Sequence, residues 1–388
     1  MLDLSRQYAR IRPEILAAIE GVCASSRYVL GEDVAAFEKE LATFTGAAEA
    51  VGCASGTDAL WLELVAAGIG PGDSVVTTPF SFFASASAIV RAGATPVFAD
   101  IDAKSFNLDP GQLQKKLRAG KSPRLRALLP VHLYGQCADM DALGAIAKEF
   151  DLAVIEDAAQ AIGAEWQGRP AGSLGIAAAF SFYPTKNLSA YGDAGAVTTM
   201  DPEWAEHMRR LRNHGSPRRY VHEEMGWNSR LDSIQAAILR VKMRYIAEWN
   251  EARRERAAVY DGLLTEAGLG SLSELSGAVS LPWHDPRARH VFHQYVVRVQ
   301  RRDELRTFLA KHGVGSEVYY PIPLHLQTCF AYLGYREGDF PEAELAAREV
   351  LALPIFPELR LDEQESVVAA MVEFFNSPRR HGDTEKNL

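Results

Sequence analysis

The chain has few cysteines, no long apolar run and no surplus of positive charge, and each shortage closes a class of function. Its four cysteines, Cys23, Cys53, Cys137 and Cys329, are scattered without metal-ligand spacing, so they read as reduced, mostly packed thiols and not as a zinc or disulfide framework. No metal is expected. No uninterrupted apolar stretch approaches the roughly 20 residues of a membrane-spanning helix. The opening Met1-Leu2-Asp3-Leu4-Ser5-Arg6 lacks a basic region followed by an apolar core, so neither secretion nor insertion is expected, and a cytoplasmic location is. A net charge of −9 opposes long-range attraction to nucleic acid or an anionic membrane, and neither is expected as a partner. Dinucleotide-binding Gly-x-Gly-x-x-Gly loops, Walker-type phosphate loops, internal repeats and coiled-coil heptads are also missing.

What the chain does have is length and alternation. Its 388 residues, 47% of them hydrophobic, exceed what one simple core organises, and two domains are expected. The larger is expected over residues 1–250 and the smaller over 251–377, with 378–388 a flexible tail. Helical periodicity runs over Arg12–Ser26 and Asp33–Thr45. Short apolar runs then appear at Ala50–Ala54, Ser74–Thr78, Thr95–Ile101, Ala127–Leu133, Leu152–Ile155, Ala177–Phe182 and Ala196–Met200. Most are separated by helix-like segments such as Thr57–Ala67, Phe83–Ala92, Pro110–Arg118 and Met140–Phe150. Such alternation predicts an α/β fold with a mainly parallel sheet covered on both faces, whose ligands bind beyond the carboxyl ends of the strands. Leu231 to about Leu264 reads as a long charged spine between domains. A strand at Gln294–Val299, helices at Asp303–His312 and Glu342–Leu351, and an extended loop at Tyr320-Pro321-Ile322-Pro323-Leu324-His325 complete the smaller domain.

Three stretches carry candidate chemistry. Phe180-Ser181-Phe182-Tyr183-Pro184-Thr185-Lys186 delivers one lysine into a turn beside buried strand ends, where weakened hydration lowers an amine's pKa and makes it nucleophilic. Leu152-Ala153-Val154-Ile155-Glu156-Asp157 brings an acidic pair to a strand tip, with Gln160 close behind. Asp157 there can hold a proton on a cationic ring nitrogen. Ser55-Gly56-Thr57 opens a helix, where free N–H groups and the helix dipole favour an anion, and Ser181 can add a hydroxyl. Phe82 can cover the face of a flat ring. Taken alone, each is an ordinary turn lysine, capping acid, helix cap or core aromatic. Together they ask for a phosphorylated, planar, protonated aromatic aldehyde held covalently by Lys186, and pyridoxal 5′-phosphate meets each demand.

The same residues carry a family resemblance. Tyr28-Val29-Leu30-Gly31, Ser55-Gly56-Thr57-Asp58-Ala59-Leu60, Val131-His132-Leu133-Tyr134-Gly135, Glu156-Asp157-Ala158-Ala159-Gln160 and Ser181-Phe182-Tyr183-Pro184-Thr185-Lys186 resemble the DegT/DnrJ/StrS family of PLP-dependent nucleotide-sugar aminotransferases, over about Leu2 to Phe375. The resemblance implies an aspartate-aminotransferase-like (PLP fold type I) structure, with a mostly parallel seven-stranded large domain and a smaller C-terminal α/β domain. It implies that Lys186 forms the cofactor Schiff base and Asp157 pairs with the pyridine nitrogen. Gln160 reaches the ring hydroxyl, Gly56, Thr57 and Ser181 hold the phosphate, and Phe82 stacks on the ring. Lysine at this position, where a dehydratase branch has histidine, implies transamination.

Asn228-Ser229-Arg230-Leu231-Asp232 is similar to a segment of enzymes that aminate C3 of the sugar. It implies a homodimer with shared active sites, in which Asn228 reaches the neighbour's cofactor phosphate and Arg230 lines its site. His325 resembles a substrate-side histidine. The implied reaction takes an amino group from L-glutamate, by way of pyridoxamine 5′-phosphate, to a nucleotide-linked 3-keto sugar. Leu239-Arg240-Val241-Lys242 leans towards dTDP-linked 6-deoxyhexoses. UDP-linked N-acetyl sugars or uronates, amination at C4, a dehydratase that keeps lysine, and a non-catalytic sugar-nucleotide sensor are the alternatives.

Overall fold

The computed structural model describes residues 2–120, 124–270 and 278–377, so the expected tail lies outside the described residues. Seven short strands make the central sheet: β1 (Glu49–Cys53), β2 (Ser74–Thr77), β3 (Thr95–Phe98), β4 (Leu125–Leu128), β5 (Ala153–Asp157), β6 (Ala177–Ser181) and β7 (Gly195–Thr199). Across the sheet they run β1-β7-β6-β5-β4-β2-β3, and β7 alone is antiparallel to its neighbours. All seven fall on the apolar runs of the sequence, because strands buried on both faces read as nearly continuous apolar segments.

Helices cover both faces. Val51, Val75, Ile155, Ala177 and Ala179 meet α3 (Gly56–Ala66), α4 (Ala84–Arg91) and α7 (Pro202–Leu211). Their strand neighbours Ala50, Val76, Ala178 and Phe180 meet α2 (Glu32–Thr45), α5 (Pro110–Arg118), α6 (Met140–Glu149) and α8 (Ser233–Met243). This is the two-residue alternation of a pleated strand, with both sides apolar. The first helix, α1 (Leu4–Ser25), packs Ile11 and Ile15 against Ile238, Val241 and Trp249.

Three sequence boundaries are corrected. Helix α1 begins at Leu4, not Arg12, because Asp3 caps it by accepting the Ser5 N–H at 3.0 Å. The single spine expected over Leu231–Leu264 is two helices, α8 and α9 (Ile246–Glu266). Tyr245 breaks it with φ −106° and ψ −9°, its ring stacked on Trp249 and its hydroxyl on Glu14. The helix expected over Glu342–Leu351 stops at Glu349, and Val350–Leu353 is a fully buried strand. Pairing with Tyr295–Arg298 overrides the helical preference of its leucines and alanine.

Those two strands, β8 (Tyr295–Arg298) and β9 (Val350–Leu353), make the smaller α/β unit with α10 (Arg302–Lys311), α11 (Pro341–Glu349) and α12 (Leu361–Asn376). Its core of Tyr260, Leu305, Leu309, Leu351 and Met371 continues into Phe80, Phe98 and Tyr134 of the large unit. Helix α9 serves both units. Asn250, where the large domain was expected to end, donates to Ile162 O at 2.9 Å. One turn later, Arg253 donates to Phe292 O and Ile355 O.

At the start of the sheet, Glu38 accepts the Gly52 N–H at 2.8 Å, while Arg212 binds both Glu38 and, at 2.5 Å, Gly52 O. All three groups are buried. Arg212→Met leaves a buried carboxylate without its partner and is expected to cost about 3–5 kcal/mol. An unchanged denaturant midpoint would contradict that assignment.

Candidate active site

The site is built where β5 and β6, parallel neighbours, end. Asp157 is the last residue of β5 and pairs with Ala179, two residues before Ser181, the last residue of β6. Alternation splits the acidic pair. Glu156 points to the far face, where it accepts from His132 Nε2 and from the backbone N–H groups of Gly172, Leu174 and Gly175 at 2.7–3.0 Å. Asp157 points the other way. It accepts the Ser85 hydroxyl at 2.6 Å and the Ala159 N–H at 3.2 Å. Burial raises its pKa, and those two donors and the charges of Lys186 and His132 pull it back.

Lys186 follows β6 in a tight turn whose N–H donates to Tyr183 O at 2.8 Å. Tyr183 and Thr185 of this turn are exposed, and the lysine is half-buried. Loss of water lowers the pKa of its amine to about 8, against a smaller opposing pull from Asp157. No hydrogen bond or ion pair occupies Nζ among the described residues. An amine of this kind is free to attack a carbonyl and to carry a proton afterwards.

Gly56 opens α3 directly against Ser181. A Cβ placed on Gly56 would come within 2.5 Å of the Ser181 Cβ, so only glycine permits this approach. Ser55 caps the helix by accepting the Asp58 N–H at 3.1 Å, and Thr57 completes the first turn. Helix N–H groups and a serine hydroxyl thus come together where an anion could be held. Gln160 is fixed from two sides, accepting the Tyr134 N–H at 2.6 Å and donating to the Tyr320 hydroxyl at 3.0 Å. Phe82 is exposed, and its ring centroid lies 6.1 Å from that of Tyr320.

Lys186 and Asp157 are thus brought together, with Gln160 and Phe82 linked through Tyr320 and Gly56, Thr57 and Ser181 in the cradle. The others stand apart. Asn228 is exposed and bridges to Asn213, to which Arg230 donates at 3.2 Å. Neither bonds to Lys186, Asp157 or Gln160 of its own chain. Their neighbour Ser229 does not cap α8 but donates to Asp58 on α3 at 2.8 Å. His325 is buried, with Nε2 3.0 Å from Glu344 and its ring edge against Phe340, so it faces the C-terminal core. Arg240 and Lys242 are likewise engaged within the fold, the first by Asp33 and Glu40 and the second by Ser189.

Ser85 and Tyr320 show their part only in the structure. Ser85 lies near the start of α4, just after the Phe82 motif, and that position was its only signal. Tyr320 opens a proline-rich loop, which the bond from Leu324 N to Pro79 O carries to the site.

A half-buried amine of lowered pKa, an acid beside it and a glycine-dependent anion cradle fit pyridoxal 5′-phosphate, with Lys186 to hold its aldehyde, Asp157 its ring nitrogen and Gly56, Thr57 and Ser181 its phosphate. Fold and site together define a PLP-dependent aminotransferase of fold type I. Residues 9–372 match the DegT/DnrJ/EryC1/StrS aminotransferase family, and the chain belongs to it.

The chain is 52% identical to a "Pleiotropic regulatory protein" of Geobacillus stearothermophilus, with 97% of this chain and 98% of that one covered. It is 45% identical to dTDP-3-amino-3,4,6-trideoxy-alpha-D-glucose transaminase of Streptomyces venezuelae (96% and 95% covered). It is 43% identical to UDP-N-acetyl-3-dehydro-alpha-D-glucosamine 3-aminotransferase of Acidithiobacillus ferrooxidans (96% of each). The crystal structure of S. venezuelae DesV in complex with a ketimine intermediate superposes with a TM-score of 0.91 at 44% identity, covering 97% of this chain and 98% of that one. Among the described residues, no helix is long and apolar enough to cross a membrane.

Cofactor capture should follow the neutral fraction of Lys186. Its pKa of about 8 lies below the ordinary lysine value, so capture by cofactor-free protein should rise with pH through about 8 and then level off. Stopped-flow growth of the visible band checks this, and a rate still climbing tenfold per unit above pH 9 would show an unperturbed amine. Ser85→Ala removes a hydrogen bond to the charged form of Asp157, worth about 1.5–3 kcal/mol. It should raise the Asp157 pKa further and loosen the cofactor by roughly tenfold or more, measured by equilibrium dialysis.

Proposed function

We propose that this protein transfers an amino group from L-glutamate to C3 of a nucleotide-linked 3-keto sugar, with a dTDP-linked 3-keto-6-deoxyhexose the favoured substrate. The observation that carries the reading is the mutual influence of the Lys186 amine, in the turn after β6, and the Asp157 carboxylate, at the end of β5, with Gly56 packed directly against Ser181. Similarity to relatives named as 3-position transaminases supports the regiochemistry. The dTDP- and UDP-named relatives stand close in identity, so a UDP-linked 3-keto N-acetyl sugar is the second reading.

In this reading, bound pyridoxal phosphate supplies an aldehyde and an electron sink, and the protein directs both. The Lys186 amine takes the proton from the donor's α-carbon in one half-reaction and returns a proton to the sugar's C3 in the other. The Asp157 carboxylate, steadied by Ser85 and the Ala159 N–H, holds a proton on the ring nitrogen. Gln160, clamped between Tyr134 and Tyr320, orients the ring hydroxyl, and Phe82 covers a ring face. Nucleotide binding away from the reacting carbon positions a small carbonyl that would bind weakly by itself.

The reading includes a homodimer in the cytoplasm. Asn228 and Arg230 make no hydrogen bond to Lys186, Asp157 or Gln160 of their own chain, and the exposed Met225 and Trp227 precede them in the sequence. This supports the reading in which they serve a neighbour, with Asn228 at its phosphate and Arg230 at its substrate. His325 would reach substrate only after its ring leaves Glu344, and its buried Nδ1 has no hydrogen-bond partner among the described residues.

Lys186→Ala should abolish both the cofactor's visible band and amination, and retention of either would remove Lys186 from the role. NMR of the product distinguishes a 3-amino from a 4-amino sugar, and a dTDP/UDP substrate panel separates the first two readings. A purified protein without a visible band would point instead to a regulator. Lys186→Ala and Asn228→Ala chains, each inactive, should recover one working site when mixed as heterodimers. No recovery in verified heterodimers would sink the shared-site arrangement.

A further inference from the structure

The residue after the lysine is tied down more firmly than the lysine itself. Asn187 is buried. Its Nδ2 donates to Val291 O at 3.1 Å and to Asn250 Oδ1 at 2.8 Å. The backbone carbonyl can only accept, so it fixes which way the Asn187 amide faces. Asn250 is fixed similarly, since its Nδ2 donates to Ile162 O at 2.9 Å. The Oδ1 of Asn187 therefore faces His293 Nδ1, 3.2 Å away, and that nitrogen must carry the proton.

The His293 tautomer follows from backbone carbonyls. Burial and the charges of Lys186 and Arg253, with His290 adding a smaller push, hold the pKa of this imidazole well below the ordinary range. The ring is neutral at working pH, protonated on Nδ1 and bare on Nε2. Arg253 pins the same residue from behind, donating to the carbonyls of Phe292, His293 and Ile355. Asn250 and Arg253 both project from α9, and Ile355 follows β9 in the smaller unit.

We propose that His293 is a positioning residue for Lys186, acting through Asn187: its Nδ1–H fixes the backbone from which the lysine projects to the helix shared by the two units. The proposal rests on the reading of Lys186 as the cofactor lysine. Loss of this donor would leave a buried Asn187 Oδ1 unpaired, and the turn would relax to find another donor. A shifted turn changes how far the amine sits from Asp157 and from water, and so changes its pKa.

Two substitutions separate positioning from mere packing. In His293→Asn the side-chain NH₂ can take the place of Nδ1 and still donate to Asn187. In His293→Gln the amide lies out where Nε2 was and leaves Asn187 unpaired. The pH midpoint of the holoenzyme's visible band should stay within about 0.2 unit of wild type in H293N and move by 0.5 unit or more in H293Q. Turnover should fall at least fivefold further in H293Q than in H293N, with KM for the sugar nucleotide within twofold in both.

Equal midpoints and turnover in the two variants, or a larger change in H293N, would overturn the proposal. Should H293Q not fold, H293N decides alone, because a shifted midpoint in that variant also overturns it. Lys186→Ala run in parallel keeps the readings distinct. A band surviving that change defeats the assignment of the lysine, whereas a band lost there but indifferent to His293 defeats only the positioning role.

Discussion

Two groups of opposite charge preference share one water-poor place, and the rest of the molecule is arranged to keep them there. The Lys186 amine and the Asp157 carboxylate each lose hydration, and each is favoured in its charged form by the other. In open water both would titrate normally and neither would be of use. Burial brings the amine within reach of neutrality near pH 8, while the bonds from Ser85 and the Ala159 N–H oppose the rise that burial imposes on the acid. The parallel pairing of β5 with β6 sets Asp157 beside the strand from which the Lys186 turn departs, and the bond from Lys186 N to Tyr183 O shapes that turn.

Much of this was legible in the sequence, for a physical reason. Strands covered on both faces must be apolar along their length, and the apolar runs located all seven. Polar residues at the ends of such runs, Asp157 and Ser181, stand out against that background. What stayed hidden depends on tertiary contact. Ser85 is an unremarkable serine near the start of a helix until the fold sets it 2.6 Å from Asp157. Val350–Leu353 carries leucines and an alanine that suit a helix, and only its partner strand makes it β. The break at Tyr245 comes from stacking on Trp249 and from Glu14, far off along the chain.

The segment Trp227–Arg230 shows the same limit from another side. Its resemblance to a known motif suggested where Asn228 and Arg230 act, but not what holds them. Ser229 ties the segment to Asp58 in the first turn of α3, and Trp227 packs against Trp61 on the same helix. The helix whose first turn packs against Ser181 thereby also steadies the exposed Trp227 and Asn228.

The antiparallel strand β7 has a practical consequence. The lysine-bearing stretch leaves the sheet at Ser181 and returns to it at Gly195, directly opposite, while Ala190 and Phe182 are bonded across its base. A protease looking for an extended segment would find the strap clasped at its neck and lined inside by Leu188 and Ala190, both fully buried. Cleavage of the native enzyme should therefore spare the link between Lys186 and Gly195 for as long as the two strands stay zipped.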